Sequence, residues 1–149
     1  MPFGTGPSTP PDRTVRTCGE CVDAPTIKTK AEIRDAGRFY LSTRNWNDAY
    51  VCFGALHLVY GNVGVTFDYQ ANLKSRTQAG TFTMAHARRD GGEATEILGY
   101  PAYKEDPRLV KQPVGAIVMI VVRGTLVTMQ GNRAASLEDV LALAKTFQF

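Results

Sequence analysis

Residues 49–70 read AYVCFGALHLVYGNVGVTFDYQ, and the alternation inside this stretch decides the fold. After Gly61-Asn62, the residues Val63, Val65, Phe67 and Tyr69 fall on one side of an extended chain. Gly64, Thr66, Asp68 and Gln70 fall on the other. A period of two marks a strand with one buried face. Before the Gly-Asn pair lies a long apolar run that suits a strand. A two-residue Gly-Asn connection between such runs is a tight hairpin, because glycine takes positive φ at no steric cost. Antiparallel pairing follows.

Toward the C-terminus the theme repeats. TFTMAHARR (residues 81–89) reads as a third strand, with Phe82, Met84 and His86 on one face. DGGE (90–93) turns the chain into ATEILGYPAYK (94–104), a strand ending where Pro101 removes a donor. EDPRLVKQP (105–113) reads as a loop. VGAIVMIVV (114–122) and TLVTMQ (125–130) then form a second hairpin around Arg123-Gly124. SLEDVLALAKTF (136–147) is an amphipathic helix: Leu137, Val140, Leu141, Ala144 and Phe147 make an apolar stripe. Ser136 is its N-cap, and Asp139 partly fills the acidic place of a capping box. Such a stripe has to be buried on the sheet.

Toward the N-terminus, FYLST (39–43) is a first strand and NWND (45–48) a loop. In APTIKTKAEIRDAGRFYL (24–41), Pro25 and Thr26 suit a helix start and Gly37 a stop, giving a short helix over about residues 29–36. Residues 1–16 are rich in Gly, Pro, Ser and Thr and read as a flexible tether, which could link to a membrane anchor. Residues 17–149 then form a single α+β domain. It is an antiparallel sheet of about six or seven strands, with the C-terminal amphipathic helix and the short N-terminal helix packed on one face. Helices are too few for parallel crossovers.

Bulk properties exclude several classes. A chain of 149 residues supports one hydrophobic core. The net charge of +3 is mild, and only Arg88-Arg89 cluster, so no nucleic acid is expected. The apolar run 114–122 is about half of the roughly 20 residues a spanning helix needs. Met1 is followed by PFGTGPSTPPD, without the basic start and apolar stretch of a secretory leader. A leader removed upstream of Met1 leaves the compartment open.

TCGEC (17–21) is the stretch that looks like chemistry. A redox Cys-x-x-Cys opens a long helix after a strand, whereas here Pro25 follows closely. A structural zinc site needs four ligands. Cys52 and His57 stand five apart on one strand, an odd separation that sends them to opposite faces. No metal and no cofactor is expected. The favoured reading is a disulfide, either Cys18 or Cys21 with Cys52, or Cys18 with Cys21. Pinning Cys52 closes a loop of about 30 residues, worth roughly 3 kcal/mol in the chain-entropy account. A disulfide would imply an oxidising compartment.

Other sites are weaker. His57 reads as a hydrogen-bonded sheet histidine, and Asp90, Glu93 and Glu96 as a solvated acidic turn. No Ser-His-Asp spacing, calcium loop or phosphate loop is present, so no catalytic residue is assigned. Trp46, Tyr50, Tyr100 and Tyr103 flank loops. They either mark a contact surface or cap the sheet ends.

From Ile97 to Phe147 the chain resembles the C-terminal parts of bacterial extracytoplasmic domains of unknown function, found in anti-sigma-factor regulators, sporulation lipoproteins and actinobacterial lipoproteins. The residues carrying the resemblance are Gly99, Ala102, Gly131, Asn132, Ser136, Glu138 and Ala144. It implies a non-catalytic binding or regulatory domain, secreted or lipoprotein-like, whose partner is a protein, a lipid or a small ligand. The alternatives are a thiol-disulfide redox or metal-binding module using Cys18 and Cys21, and a cytoplasmic protein-interaction or immunity-type protein.

Overall fold

The computed structural model describes residues 15–17, 20–22, 39–52, 55–110 and 115–149. Its strands are β1 Val15–Thr17, β2 Glu20–Val22, β3 Asp48–Cys52, β4 Ala55–Tyr60, β5 Val63–Tyr69, β6 Glu93–Ile97, β7 Tyr100–Glu105, β8 Ile117–Val122 and β9 Thr125–Gly131. Its helices are α1 Arg76–Asp90, α2 Pro107–Val110 and α3 Leu137–Ala144, with a single 3-10 turn over Ala71–Leu73.

The hairpin that opens the argument is present as β4 and β5, in the register Leu56 opposite Phe67 and Tyr60 opposite Val63. Gly61 takes φ 63° at the first central position, as the turn requires. Val63, Val65 and Phe67 are buried, together with Leu56, Leu58 and Tyr60 across the ladder. The long apolar run is two strands, because β3 folds back to pair with β4. ATEILGYPAYK likewise divides into β6 and β7 about Leu98-Gly99, where φ is 52° and 85°. A leucine at positive φ is a poor sequence signal for a turn, which is why the stretch reads as one strand. The hairpin at Arg123-Gly124 joins β8 and β9 as expected.

Seven strands form an open antiparallel sheet with a C-terminal helix, in the order β3-β4-β5-β9-β8-β7-β6. The β1–β2 hairpin extends it, with β1 running parallel to β3.

TFTMAHARR belongs to α1 and is not a strand. Phe82 and His86 share a face under either period, since four residues is both two pleats and about one helical turn. Met84 separates the two readings: a strand would bury it beside them, and it is 49% exposed. The helix is set by its ends. Ser75 and Gln78 make a reciprocal capping box, and Gly91 closes the far end at φ 85°. EDPRLVKQP contains α2, started by Asp106, whose Oδ1 accepts from the Arg108 N–H at 3.0 Å. FYLST contributes only an isolated bridge, Ser42 with Phe147. Residues 1–14 of the expected tether and the N-terminal helix expected over 29–36 lie outside the described residues, while Val15 and Arg16, the tether's last two residues, belong to β1.

The helix α3 packs as its stripe predicts. Leu137, Val140, Leu143 and Ala144 join Val118, Ile120, Val122, Val127 and Met129 in one cluster, and the Ser136–Asp139 capping box is complete. Each large side chain removed from water contributes about 1.5–3 kcal/mol. The opposite face carries α1, which with Leu73 and Ala79 covers Val121 and Leu126. Adjacent residues of β8 therefore serve different cores. Behind the sheet, Phe147 and Phe149 pack among Tyr40, Tyr60, Phe67 and Tyr100. The Arg123 guanidinium sits between two rings and donates to Tyr100 Oη at 2.6 Å and Tyr40 Oη at 3.2 Å.

The expected disulfide is a correction: no disulfide bond joins Cys18, Cys21 and Cys52. The backbone explains part of this. Cys21 stands opposite Arg16, and Arg16 stands beside Tyr50, so β1 separates β2 from β3. Two strand spacings are roughly 10 Å, beyond the about 7 Å that bridged Cα atoms tolerate. Cys18 lies outside the described residues. Among the described residues, no helix is long and apolar enough to cross a membrane.

Candidate functional site

Alternation that buries one side of β4, β5 and β9 turns the other side outward. His57, Thr66 and Thr128 line up across the three strands, and Val59, Gly64 and Gln130 form the next row. The helix α1 crosses β6 and β7 and stops short of these rows. A cleft of about 570 Å³ opens over them. Gly64 leaves its floor bare: a Cβ built there meets nothing within 4 Å. At one end the loop after β9 closes on the β4–β5 turn. There the Asn132 N–H donates to the Asn62 carbonyl at 2.9 Å, and Asn132 Nδ2 donates to Asn62 Oδ1 at 3.1 Å. Arg133 follows in the same loop and lines the cleft.

The electrostatics of the cleft are simple. His57 is half-buried, and burial holds its imidazole below the ordinary value of 6.5, so it is uncharged at neutral pH. Its Nδ1 lies 3.1 Å from Thr66 Oγ1. No aspartate or glutamate is among the described residues that line the cleft. The arrangement offers hydroxyls, amides and one guanidinium over a small apolar patch. It can hold a ligand by hydrogen bonds.

A second polar group lies under α1 and is closed. Tyr103, 1% exposed, donates to Glu105 Oε2 and accepts from the Gly92 N–H at 3.2 Å. Burial, and then the bond to Glu105, raise the phenol's pKa. Glu105 Oε1 is buried and has no hydrogen-bond partner among the described residues. A Cβ on Gly92 would stand 2.5 Å from Tyr103 Oη, so only glycine allows this approach. His86 meets Phe82 edge-on and Tyr103 at a tilt, and its Nδ1 lies 3.1 Å from Asp90 Oδ2. The hydrogen bond from Arg89, then that from His86, lowers the Asp90 pKa. This group braces α1 against β7.

The residues singled out in the sequence are scattered. Trp46 is 9% exposed and joins the main core, as Tyr103 fills the space under α1. Tyr100 is half-buried against Arg123 and Phe149. Tyr50 stands opposite His57 in the β3–β4 ladder. Glu93 pairs with Lys104 at 3.6 Å and Glu96 with Arg76, so the acidic turn is a set of surface ion pairs. Among the described residues no cluster of three His, Cys, Asp or Glu could hold a metal. The cleft residues Thr66, Thr128, Gln130, Asn62 and Arg133 were not singled out. For Thr66 the signal was the polar side of the alternation in 63–69, and for Thr128 and Gln130 the polar positions of the β9 stretch; Asn62 and Arg133 carried no signal beyond lying in turns.

No family model matches this chain, and no curated protein or solved structure matches it.

Proposed function

We propose that the chain is a non-catalytic binding domain that uses the open half of the outer sheet face as its recognition surface. One observation carries this reading: α1 lies over β6 and β7 and reaches Val121 of β8 and Leu126 of β9, while β4, β5 and the Thr128–Gly131 end of β9 present a cleft of about 570 Å³ with a side-chain-free floor at Gly64. That volume suits a small ligand. Ladder hydrogen bonds hold the backbone of the three strands that floor the cleft, so that floor is formed before a ligand arrives. The resemblance over 97–147 supports a secreted or lipoprotein-like setting for such a domain. With no disulfide, the argument from an oxidising compartment no longer contributes.

The test is a titration of the isotope-labelled full chain with a small set of neutral, cationic and anionic aromatic fragments, followed by amide NMR shifts. Shifts at Gly64, Thr66, Thr128 and Gln130 are expected, and Gly64→Phe, whose Cβ meets nothing within 4 Å, is expected to fill the cleft and abolish those at Thr66, Thr128 and Gln130. Shifts confined to other surfaces, or none from any fragment, would sink this reading.

A further inference from the structure

Resting on that reading of the cleft, we propose that its ligand is a small organic oxyanion, a carboxylate or a phosphate monoester on an apolar body. The anion sits at the Asn62–Arg133 end and the body lies over Gly64 and Val59.

The argument begins with how the amides at that end are oriented. The Ala134 N–H donates to Asn132 Oδ1 at 2.8 Å, which turns Asn132 Nδ2 toward Asn62. Asn132 Nδ2 donates to Asn62 Oδ1 at 3.1 Å. Asn62 Oδ1 is thereby occupied, and its NH2 group meets no acceptor among the described residues. This arrangement is relayed from a backbone N–H through two side chains without any ligand.

Charge points the same way. Arg76, Arg89 and Arg108 each lie against a carboxylate: Glu96, Asp90 and Asp106. Arg123 is held by two tyrosines. Arg133, at the cleft, has no carboxylate partner among the described residues. Arg44 is likewise unpaired and lines a second hollow of about 310 Å³ that shares Asn62 and Val63 with the first. The carboxylate in that hollow, Asp139, already accepts from the Ser136 N–H at 3.0 Å. Among the described residues, two guanidiniums without a carboxylate partner line the hollows that meet at Asn62, and no acid lines the main cleft. An oxyanion meets both the geometry and the charge, because a guanidinium fork matches carboxylate and phosphate oxygens. A cation or a ligand that only donates meets neither. Val59 and the bare floor at Gly64 supply the apolar surface for the rest of the molecule.

The experiment uses the full chain at low salt and three probes: benzoate, phenyl phosphate and the uncharged benzamide. Benzoate or phenyl phosphate is expected to shift Asn62, Gly64, Thr66 and Gln130 and to bind at least about fivefold more tightly than benzamide, a preference that added salt weakens. Arg133→Gln, an exposed loop change, is expected to remove the preference and leave the fold's spectrum intact. The stronger of the two anions identifies the carboxylate or the phosphate, and equal binding supports the shared oxyanion chemistry. Benzamide binding as tightly as the anions overturns the proposal, as does a preference that survives Arg133→Gln. If neutral or cationic fragments occupy the cleft and the anions do not, the oxyanion assignment fails and the binding-domain reading stands. If nothing perturbs the cleft, both fail.

Discussion

The two halves of the outer sheet face differ by what lies over them. One row crosses both: Ala94, Tyr103, Met119, Thr128, Thr66 and His57 are successive ladder partners. Under α1 the row is apolar or aromatic, and past Met119 it turns to hydroxyls and an imidazole. The change also runs along β9, where Leu126 is buried beside Ala79, and Gln130, four residues on, is exposed. Side-chain chemistry on a strand thus records the position of a helix that is not its sequence neighbour. The closed half can carry a buried carboxylate because Tyr103 partners it. The open half needs no such partner because water reaches it.

The contrast can be broken most forcefully at Tyr103. Tyr103→Phe strips Glu105 of its donor and leaves a buried carboxylate alone, for an expected loss of roughly 2–4 kcal/mol in denaturant unfolding. Glu105→Gln keeps an acceptor for the phenol and removes the buried charge. It is expected to gain up to about 1 kcal/mol, and a large loss would show that the charge itself holds the closed half together. Next in size is the cap of the covering helix: Ser75→Ala should cost about 1 kcal/mol, read from the same unfolding curves.

In the open half the effects are smaller. The folded-state pKa of His57 lies below its unfolded value, so the unfolded chain binds the proton more readily. Its contribution is therefore neutral at high pH and turns destabilising as pH falls through about 6.5 toward the lowered folded value. His57→Gln should flatten stability across that window, and an unchanged pH profile would remove the burial argument. Least of all, Thr128→Val should alter stability by no more than about 0.5 kcal/mol while weakening fragment binding. A larger loss would mean that Thr128 belongs to the fold and not to a recognition surface.

Much of the fold was legible where local chemistry and tertiary need agree. The β4–β5 and β8–β9 hairpins carry glycine turns and alternation, and α3 carries both a cap and a stripe. The seven strands of the antiparallel sheet match the expected number through offsetting substitutions: residues 81–89 are helical, FYLST makes one bridge, and two long stretches each fold into a pair; β1 and β2 were not expected. The helix α1 was misread because it has no clear apolar stripe, while its Ser75-x-x-Gln78 cap lies outside the quoted run. The cleft was not legible, since a polar strand face looks the same in sequence whether it meets bulk water or frames a hollow. Whether a helix reaches over it depends on contacts between distant segments.

Arg123 ties pieces of chain 83 positions apart, reaching Tyr40 on one side and, on the other, Tyr100, which packs on Phe149. Closing loops that long costs entropy before any contact repays it, so this rivet is expected to set late in folding. When it loosens in the native protein, the strap ahead of β3 and the tail after α3 should come free together as one opening unit, with the hairpins beneath them still shut.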